Sequence, residues 1–243
     1  MGTQAFTIGS VTIYWYGLTF SMAFMLCGAV WAALCSRRGF GVSMGFEFGF
    51  WLILSSVAGA RLAFIIANLP TYMQDPGRIL QLRSGGLIFY GGILGGLLMT
   101  LIFARLKKIA IPSLLDIAAA GTPLGHSLGR LGCYINGCCY GVHGEGLGTT
   151  MTNTGLRVPV QLIESAGTLV VFMILWRTFQ TRPPWGRTAA LYLLLYGMVR
   201  FSTEFLRGDP RSEWGPLHVA QWLSLAAIAA GGLWLYRLRS KSE

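Results

Sequence analysis

The chain has 243 residues, of which 53% are hydrophobic and 12% are charged. Soluble domains carry about 25% charged residues, so this composition argues against a soluble protein and indicates a polytopic membrane protein. The net charge of +10 would suit nucleic acid, but the basic residues lie in short loops between apolar segments. We therefore expect contact with membrane lipids and no nucleic acid. The first residues lack the basic region of a cleavable signal peptide.

Seven apolar segments follow in chain order, each near the ~20 residues that a membrane-spanning helix needs. They cover residues 13–35, 46–68, 87–104, 112–130, 159–176, 188–206 and 216–236. The fourth contains Pro123 and several glycines, which favours a half-inserted or broken helix. No repeat or linker divides the chain. We expect an all-α polytopic membrane protein with seven transmembrane helices in one domain, residues 1–243.

The basic residues predict the orientation of these segments. One set of ends carries Arg37, Arg38, Arg105, Lys107, Lys108, Arg177, Arg182, Arg187, Arg237, Arg239 and Lys241. The other set carries only Arg78, Arg83, Arg157, Arg207 and Arg211. Because basic loops stay on the cytoplasmic side, we expect a periplasmic N-terminus and a cytoplasmic C-terminus. The longest loop, 131–158, would then form a small head on the outer face.

The densest group of functional residue types is the stretch 125–141, GHSLGRLGCYINGCCYG. Glycines allow close approach of the backbone to a ligand, and Arg130 offers a charged, two-pronged donor, so the stretch predicts an anion-binding pocket. His126 lies one helical turn before Arg130, on the same face. The C-x₄-C-C spacing of the three cysteines matches no zinc pattern, so we expect no metal there. Packing is the favoured role of these thiols, and a disulfide is the alternative.

Charged residues inside apolar segments need a specific reason, because each costs about 2.5–3.5 kcal/mol at the centre of a span. Arg200, Glu204 and Arg207 have i, i+4, i+7 spacing, which places them on one helix face. They predict either a structural ladder of ion pairs or a polar wall that faces a pocket. Arg61 is either a ligand contact or a buried partner of Glu164 or Glu204.

Three further polar residues are candidates for the pocket. Gln161 and Glu164 share one face at the start of the fifth segment, where a packing role is as good an interpretation as a catalytic one. Tyr90 lies between two glycine pairs, in SGGLIFYGGILGG. An interfacial anchor is the ordinary role of such a tyrosine, but the glycines favour a ligand-facing role.

Together these motifs resemble the prolipoprotein diacylglyceryl transferases of bacterial inner membranes. The resemblance covers nearly the whole chain and rests on five motifs in the same order. They are WYGLTFSMAF (15–24), GARLAF (59–64), SGGLIFYGGILGG (84–96), GHSLGRLGCYINGCCYG (125–141) with VPVQLIES (158–165), and YGMVRFSTEFLRGDPR (196–211).

The resemblance implies an enzyme that moves the diacylglyceryl group of phosphatidylglycerol to the lipobox cysteine of a preprolipoprotein signal peptide. A thioether forms and glycerol 1-phosphate leaves, without cofactor or metal. Arg130 and Arg200 match the arginines that hold the phosphate. The other matched positions are Asn136 and Gly141 near that site, Tyr16 and Tyr196 in the pocket lining, and Glu204 with Arg207 at the outer mouth. We expect a monomer in the bacterial inner membrane, with its site towards the outer leaflet.

The resemblance does not assign the general base. Many family members carry a histidine before the glycine pair of the third segment, where this chain has Tyr90. We expect Tyr90 or His126 to act on the incoming thiol, or the arginines alone to favour the thiolate. A lipid transporter or binder that uses the same headgroup site, and a homologue that has lost catalysis, are the alternatives from other functional classes.

Overall fold

A computed structural model describes residues 4–9, 11–80, 85–144, 148–151, 155–210 and 213–240. Three of the basic residues used for the orientation, Arg83, Arg211 and Lys241, and the first residue of the third motif, Ser84, lie outside the described residues. The chain forms two compact units. The larger unit comprises Met1–Trp31 and Leu115–Glu243, and the smaller unit comprises Ala32–Leu114.

The chain is mostly helical, as predicted. The helices are α1 (Trp15–Arg37), α2 (Val42–Ala67), α3 (Leu69–Gln74), α4 (Phe89–Lys107), α5 (Ile111–Ile135), α6 (Val160–Gln180), α7 (Arg187–Glu204) and α8 (Val219–Ser240). Each predicted apolar segment coincides with one of the long helices. Five of these, α1, α2, α4, α6 and α8, are long and apolar enough to cross a membrane. That α5 and α7 also span, and the orientation, stay predictions.

Within the described residues, three small antiparallel hairpins accompany the helices. They pair β1 (Gln4–Ile8) with β2 (Val11–Tyr14), β3 (Thr149–Met151) with β4 (Gly155–Arg157), and β5 (Glu213–Trp214) with β6 (Leu217–His218). A search for long apolar segments did not anticipate them, because strands of two to five residues leave little periodic signal.

In the smaller unit, glycines bring α2 and α4 into close contact. A Cβ atom on Gly59 would overlap the carbonyl oxygen of Gly91, and one on Gly95 would overlap that of Ser55. Small residues allow membrane helices to approach in this way. Gly91, which belongs to a glycine pair beside Tyr90, and Gly95 thus have a packing role, and the ligand-facing role of Tyr90 stays a prediction.

Replacing Gly95 by alanine is expected to destabilise the protein by about 1–3 kcal/mol, because the added methyl group must push α2 away. The matched control is Gly232→Ala in α8, where a Cβ atom meets nothing within 4 Å. Alanine is the better helix former by about 1 kcal/mol, so the control should be neutral or stabilising. Thermal unfolding in detergent measures both, and equal melting temperatures would contradict the packing role.

In the larger unit, α5 is one continuous helix that contains Pro123. The expectation of a broken helix is therefore wrong, whereas the alternative of a half-inserted helix stays a prediction. In the turn before the proline, the carbonyl of Ala118 accepts hydrogen bonds from Thr122 Oγ1 at 2.7 Å and from Trp31 Nε1 at 3.2 Å. Proline is tolerated in a membrane helix where neighbouring side chains satisfy the nearby backbone in this way.

Polar contacts hold the other helices of the larger unit. Ser165 Oγ on α6 donates to the carbonyl of Ser127 on α5 at 2.9 Å. The fully buried carboxylate of Asp116 accepts from the backbone N–H groups of Gly186 and Ala189, at 2.8 and 2.7 Å. It thereby caps the N-terminus of α7, where otherwise unpaired N–H groups favour an anion.

Candidate active site

Glu164, on the second turn of α6, is the centre of a buried charge cluster. Its side chain is 0% exposed, and its Oε1 atom accepts a hydrogen bond from Arg130 Nη2 at 2.9 Å. Its Oε2 atom lies 3.5 Å from Arg207 Nη1 and 3.9 Å from Arg200 Nη1. One carboxylate thus holds three guanidinium groups that come from α5, α7 and the segment after α7.

Two further carboxylates balance the arginines. Glu204 forms an ion pair with Arg200 Nη2, one turn earlier on α7. Asp209 accepts from Arg207 Nε at 2.9 Å and from Arg207 Nη2 at 3.1 Å. Burial opposes the charge on Arg207, but these bonds and the charge of Asp209 outweigh it and raise the pKa of the guanidinium. Arg207 therefore stays charged.

The predicted i, i+4, i+7 face is right for its first two members and wrong for the third. Helix α7 ends at Glu204, so Arg207 lies beyond it, and the side-chain partners described for Arg207 are Asp209 and Glu164. The segment Gly208–Asp209–Pro210 explains the end of the helix, since the residue before a proline avoids the helical conformation.

Two of the arginines have N–H donors that their described contacts do not use. Arg130 uses Nε and one Nη2 bond in its described contacts, so two of the five N–H donors of a guanidinium are engaged. Arg200 Nη1 is buried and has no hydrogen-bond partner among the described residues. The side chains of Arg130 and Arg200 are 16% and 11% exposed, whereas that of Arg207 is 1% exposed. Two partly exposed arginines of the cluster thus have donors that their described partners leave unused.

His126 lies against this cluster. Its Nε2 atom is 3.2 Å from Arg130 Nε and 3.2 Å from Glu164 Oε1. A neutral ring with a bare Nε2 accepts from Arg130, whereas a ring protonated at Nε2 donates to Glu164. The predicted pairing of His126 with Arg130 on one face of α5 is thus present, and the ring has a carboxylate beside it that can stabilise an added proton.

The glycine-rich stretch continues the site past the end of α5. Gln161 Nε2 donates to the carbonyl of Cys138 at 2.7 Å, which joins the turn after α5 to α6. Gly141 lies between two backbone segments, and a Cβ atom there would come within 2.5 Å of the Val158 carbonyl oxygen and 2.8 Å of that of Leu206. Asn136 lies in the same turn, with its side chain beside the thiol of Cys138. These residues order the turn that follows the helix carrying Arg130.

The two predicted pocket tyrosines lie in the same unit. Tyr196, on α7, is 5.1 Å from the His126 ring, centroid to centroid, and stacks on Tyr192 at 5.5 Å. Tyr16, on α1, packs against Phe20 at 4.5 Å. A Cβ atom on Gly132 of α5 would lie 3.7 Å from the Tyr16 ring, so this tyrosine contacts α5 two residues after Arg130.

Two predicted site residues belong to the smaller unit. Arg61 donates four hydrogen bonds to the backbone carbonyls of Arg78, Ile79, Gly85 and Gly86, at 2.7 to 3.2 Å. It therefore organises the segment between α3 and α4. Tyr90 is 44% exposed, near the N-terminus of α4, and its ring contacts that of Phe89.

Comparison with known proteins agrees with these motifs. The profile of the family described as prolipoprotein diacylglyceryl transferase matches residues 3–237. The chain belongs to this family. Among its relatives, the phosphatidylglycerol–prolipoprotein diacylglyceryl transferase of Bordetella parapertussis is 34% identical over 98% of this chain and 96% of its own length. The enzymes of that name from Finegoldia magna and a Nostoc species are 31% and 32% identical over 95% and 94% of this chain, and 93% and 87% of their own lengths.

Membership of the diacylglyceryl transferase family confirms the resemblance inferred from the motifs, and with it a transferase. The sequence analysis nevertheless missed two carboxylates in this family member, the buried Asp116 and the partly exposed Asp209. Asp209 follows Arg207 by two residues within the last motif, so this short spacing was a usable signal. Asp116 gave no comparable signal, because its partners are backbone N–H groups 70 and 73 positions away in the chain.

Proposed function

We propose that this protein transfers the sn-1,2-diacylglyceryl group of phosphatidylglycerol to the lipobox cysteine of preprolipoproteins. The observation that carries the proposal is that Arg130 and Arg200 converge on Glu164 and have N–H donors that their described partners leave unused. A phosphate diester accepts hydrogen bonds from guanidinium groups in this geometry. The names of the relatives support the same substrates.

The reaction is a displacement at the glycerol carbon that bears the phosphate. The sulfur of the lipobox cysteine forms a C–S bond, the C–O bond to phosphate breaks, and glycerol 1-phosphate leaves with the bonding electrons. Negative charge grows on the leaving phosphate, so cations at Arg130 and Arg200 stabilise the transition state more than the ground state. The thiol proton must leave as well, because the thiolate is the nucleophile.

His126 is the base that the geometry supports best. Its ring is neutral when Nε2 accepts a hydrogen bond from Arg130. Once Nε2 is protonated, it can donate to Glu164 Oε1, which lies 3.2 Å away. Tyr90, the other candidate, has an exposed ring that contacts Phe89. Glu164, Glu204, Arg207 and Gln161 hold the arginines and the turn beside them, and Tyr16, Tyr196, Asn136, Gly141 and Arg61 complete the substrate-binding set.

Replacing His126 by alanine is expected to lower turnover by about 10²-fold or more, the usual contribution of a general base. The loss should shrink as the pH rises towards the thiol pKa of about 8.5, because the substrate then ionises without help. Tyr90→Phe is the control and should keep most of the activity. Loss of activity in Tyr90→Phe but not in His126→Ala would assign the base to Tyr90. Full activity of both variants would mean that no dedicated base exists.

The reaction needs a membrane setting with access from the outer leaflet. We propose seven spans, a periplasmic N-terminus and a cytoplasmic C-terminus in the bacterial inner membrane, with the protein acting as a monomer. The arginine cluster lies at the ends of α5 and α7 that this orientation makes periplasmic. Both substrates, a phospholipid and a signal peptide held in the membrane, would then enter from the bilayer.

The test is the conversion of a lipobox peptide by purified protein in the presence of phosphatidylglycerol. The expected product is a peptide that carries a diacylglyceryl thioether, detected by mass spectrometry, together with an equal amount of glycerol 1-phosphate. A peptide with serine at the lipobox cysteine is the control and should remain unmodified. Bound phosphatidylglycerol without any product would favour a lipid binder or a homologue that has lost catalysis.

A further inference from the structure

The three cysteines of the stretch 125–141 converge at the end of α5. The sulfur atoms of Cys133, Cys138 and Cys139 all lie within 4.8 Å of one another. Cys133 is buried on the last helical turns, and the other two are partly buried in the following turn. We refer to these residues as the thiol cluster. The proposed transferase chemistry uses none of them.

The turn after α5 is built to bring the thiols together. Gly137 and Cys139 have φ angles of +69° and +60°, and a positive φ is uncommon for a residue other than glycine. The backbone N–H of Cys138 donates to the carbonyl of Cys133 at 3.1 Å. The bond from Gln161 to the Cys138 carbonyl fixes the turn against α6. The left-handed conformation at Cys139 costs roughly 1–2 kcal/mol, which these contacts offset.

The charges of Arg130 and Arg207 act on Cys139, the last residue of the thiol cluster. A thiolate rather than a thiol is the ligand of a soft metal ion, so the thiols lose their protons when the ion binds.

We propose that the thiol cluster binds one soft, thiolate-seeking metal ion of the Zn(II) or Cu(I) class. Three evenly spaced thiolates at about 2.3 Å from one ion are at most about 4.0 Å apart, so sub-ångström movements bring the three sulfurs into range. Within the described residues this group contains three donors and no fourth from His, Cys, Asp or Glu. That set fits three-coordinate Cu(I), or Zn(II) with an open fourth position.

Such an ion would tie the end of α5 to the turn that leads to Gly141. Cys133 lies in the last turn of the helix that carries Arg130, and the carbonyl of Cys138 accepts the hydrogen bond from Gln161. Metal binding would therefore stabilise the approach to the arginine cluster without taking part in the displacement. The proposal goes beyond the proposed function, and its test does not depend on activity.

The test is metal binding by the full-length protein, purified in detergent under anaerobic, reducing conditions and then freed of reductant. Zn(II) and Cu(I) are titrated separately against a colorimetric chelator for each ion, and Co(II) serves as a spectroscopic substitute for Zn(II). We expect one ion per chain and, with Co(II), near-ultraviolet absorption from thiolate ligands. Comparison of the two affinities shows whether the thiol cluster prefers Zn(II) or Cu(I).

Replacing Cys133, Cys138 or Cys139 by serine is expected to weaken metal binding by more than about tenfold. Loss of a residue that only hydrogen-bonds to a metal ligand already weakens binding by about tenfold, and loss of a ligand should cost more. The matched control replaces Cys27 and Cys35, the two buried thiols of α1, and should bind as wild type does. If a variant fails to fold, alkylation of the wild-type protein decides, because bound metal should protect Cys138 and Cys139. Absence of binding, unchanged binding by the serine variants, or a disulfide within the cluster would each overturn the proposal.

Discussion

Replacing Arg130 or Arg200 by lysine is expected to lower diacylglyceryl transfer by about 10²–10³-fold, the loss seen when one donor to a developing negative charge is removed. Lysine keeps the positive charge and loses the planar fork that holds a phosphate through two bonds. Both side chains lie in the Glu164 cluster, are partly exposed and have donors that their described partners leave unused. The largest loss should therefore fall on turnover rather than on folding.

Arg177→Lys is the matched control for these variants. Arg177 lies in the last turn of α6, thirteen residues from Glu164, or about 20 Å along the helix. It should keep full turnover. The measurement is the rate of lipobox-peptide conversion at saturating phosphatidylglycerol, with the melting temperature of each variant beside it. Normal turnover of both Arg130→Lys and Arg200→Lys would place the leaving phosphate elsewhere.

Replacing Glu164 by glutamine is expected to destabilise the protein by about 3–5 kcal/mol, because removing one partner of a buried ion pair leaves uncompensated charge. The glutamine keeps the shape of the side chain, so the change is one of charge. Glu164 is fully buried and contacts Arg130 at 2.9 Å, Arg207 at 3.5 Å and Arg200 at 3.9 Å. The three guanidinium groups would then repel one another with two carboxylates left between them.

The control for Glu164→Gln is Glu47→Gln. Glu47 forms an ion pair of 2.8 Å with Lys107, but both side chains are more than 40% exposed. Pairs of this kind contribute about 0–1 kcal/mol, so the control should melt within a few degrees of the wild type. Thermal unfolding in detergent measures both variants. A Glu164→Gln protein that melts with its control would show that the arginines do not depend on this carboxylate.

Most of the helices follow from local properties of the chain. A run of about 20 apolar residues predicts a helix wherever it occurs, and every predicted segment coincides with a helix whose ends lie within a few residues. The pairing of His126 with Arg130, and of Arg200 with Glu204, follows from the helical repeat. Two local predictions fail. The helix that contains Pro123 is continuous, and Arg207 lies beyond the end of α7.

The sequence alone determined the membrane class, the family and the residue types of the candidate site, because these depend on composition, motif order and short spacings. Tertiary structure decided which groups meet. Glu164 was an isolated carboxylate in the sequence and is the centre that holds three arginines. Gly91, one of the glycines beside Tyr90, lies against α2, as Gly95 does. Three cysteines without a metal-binding spacing come within 4.8 Å of one another because a positive-φ turn folds them back onto α5, an effect that no linear pattern carries.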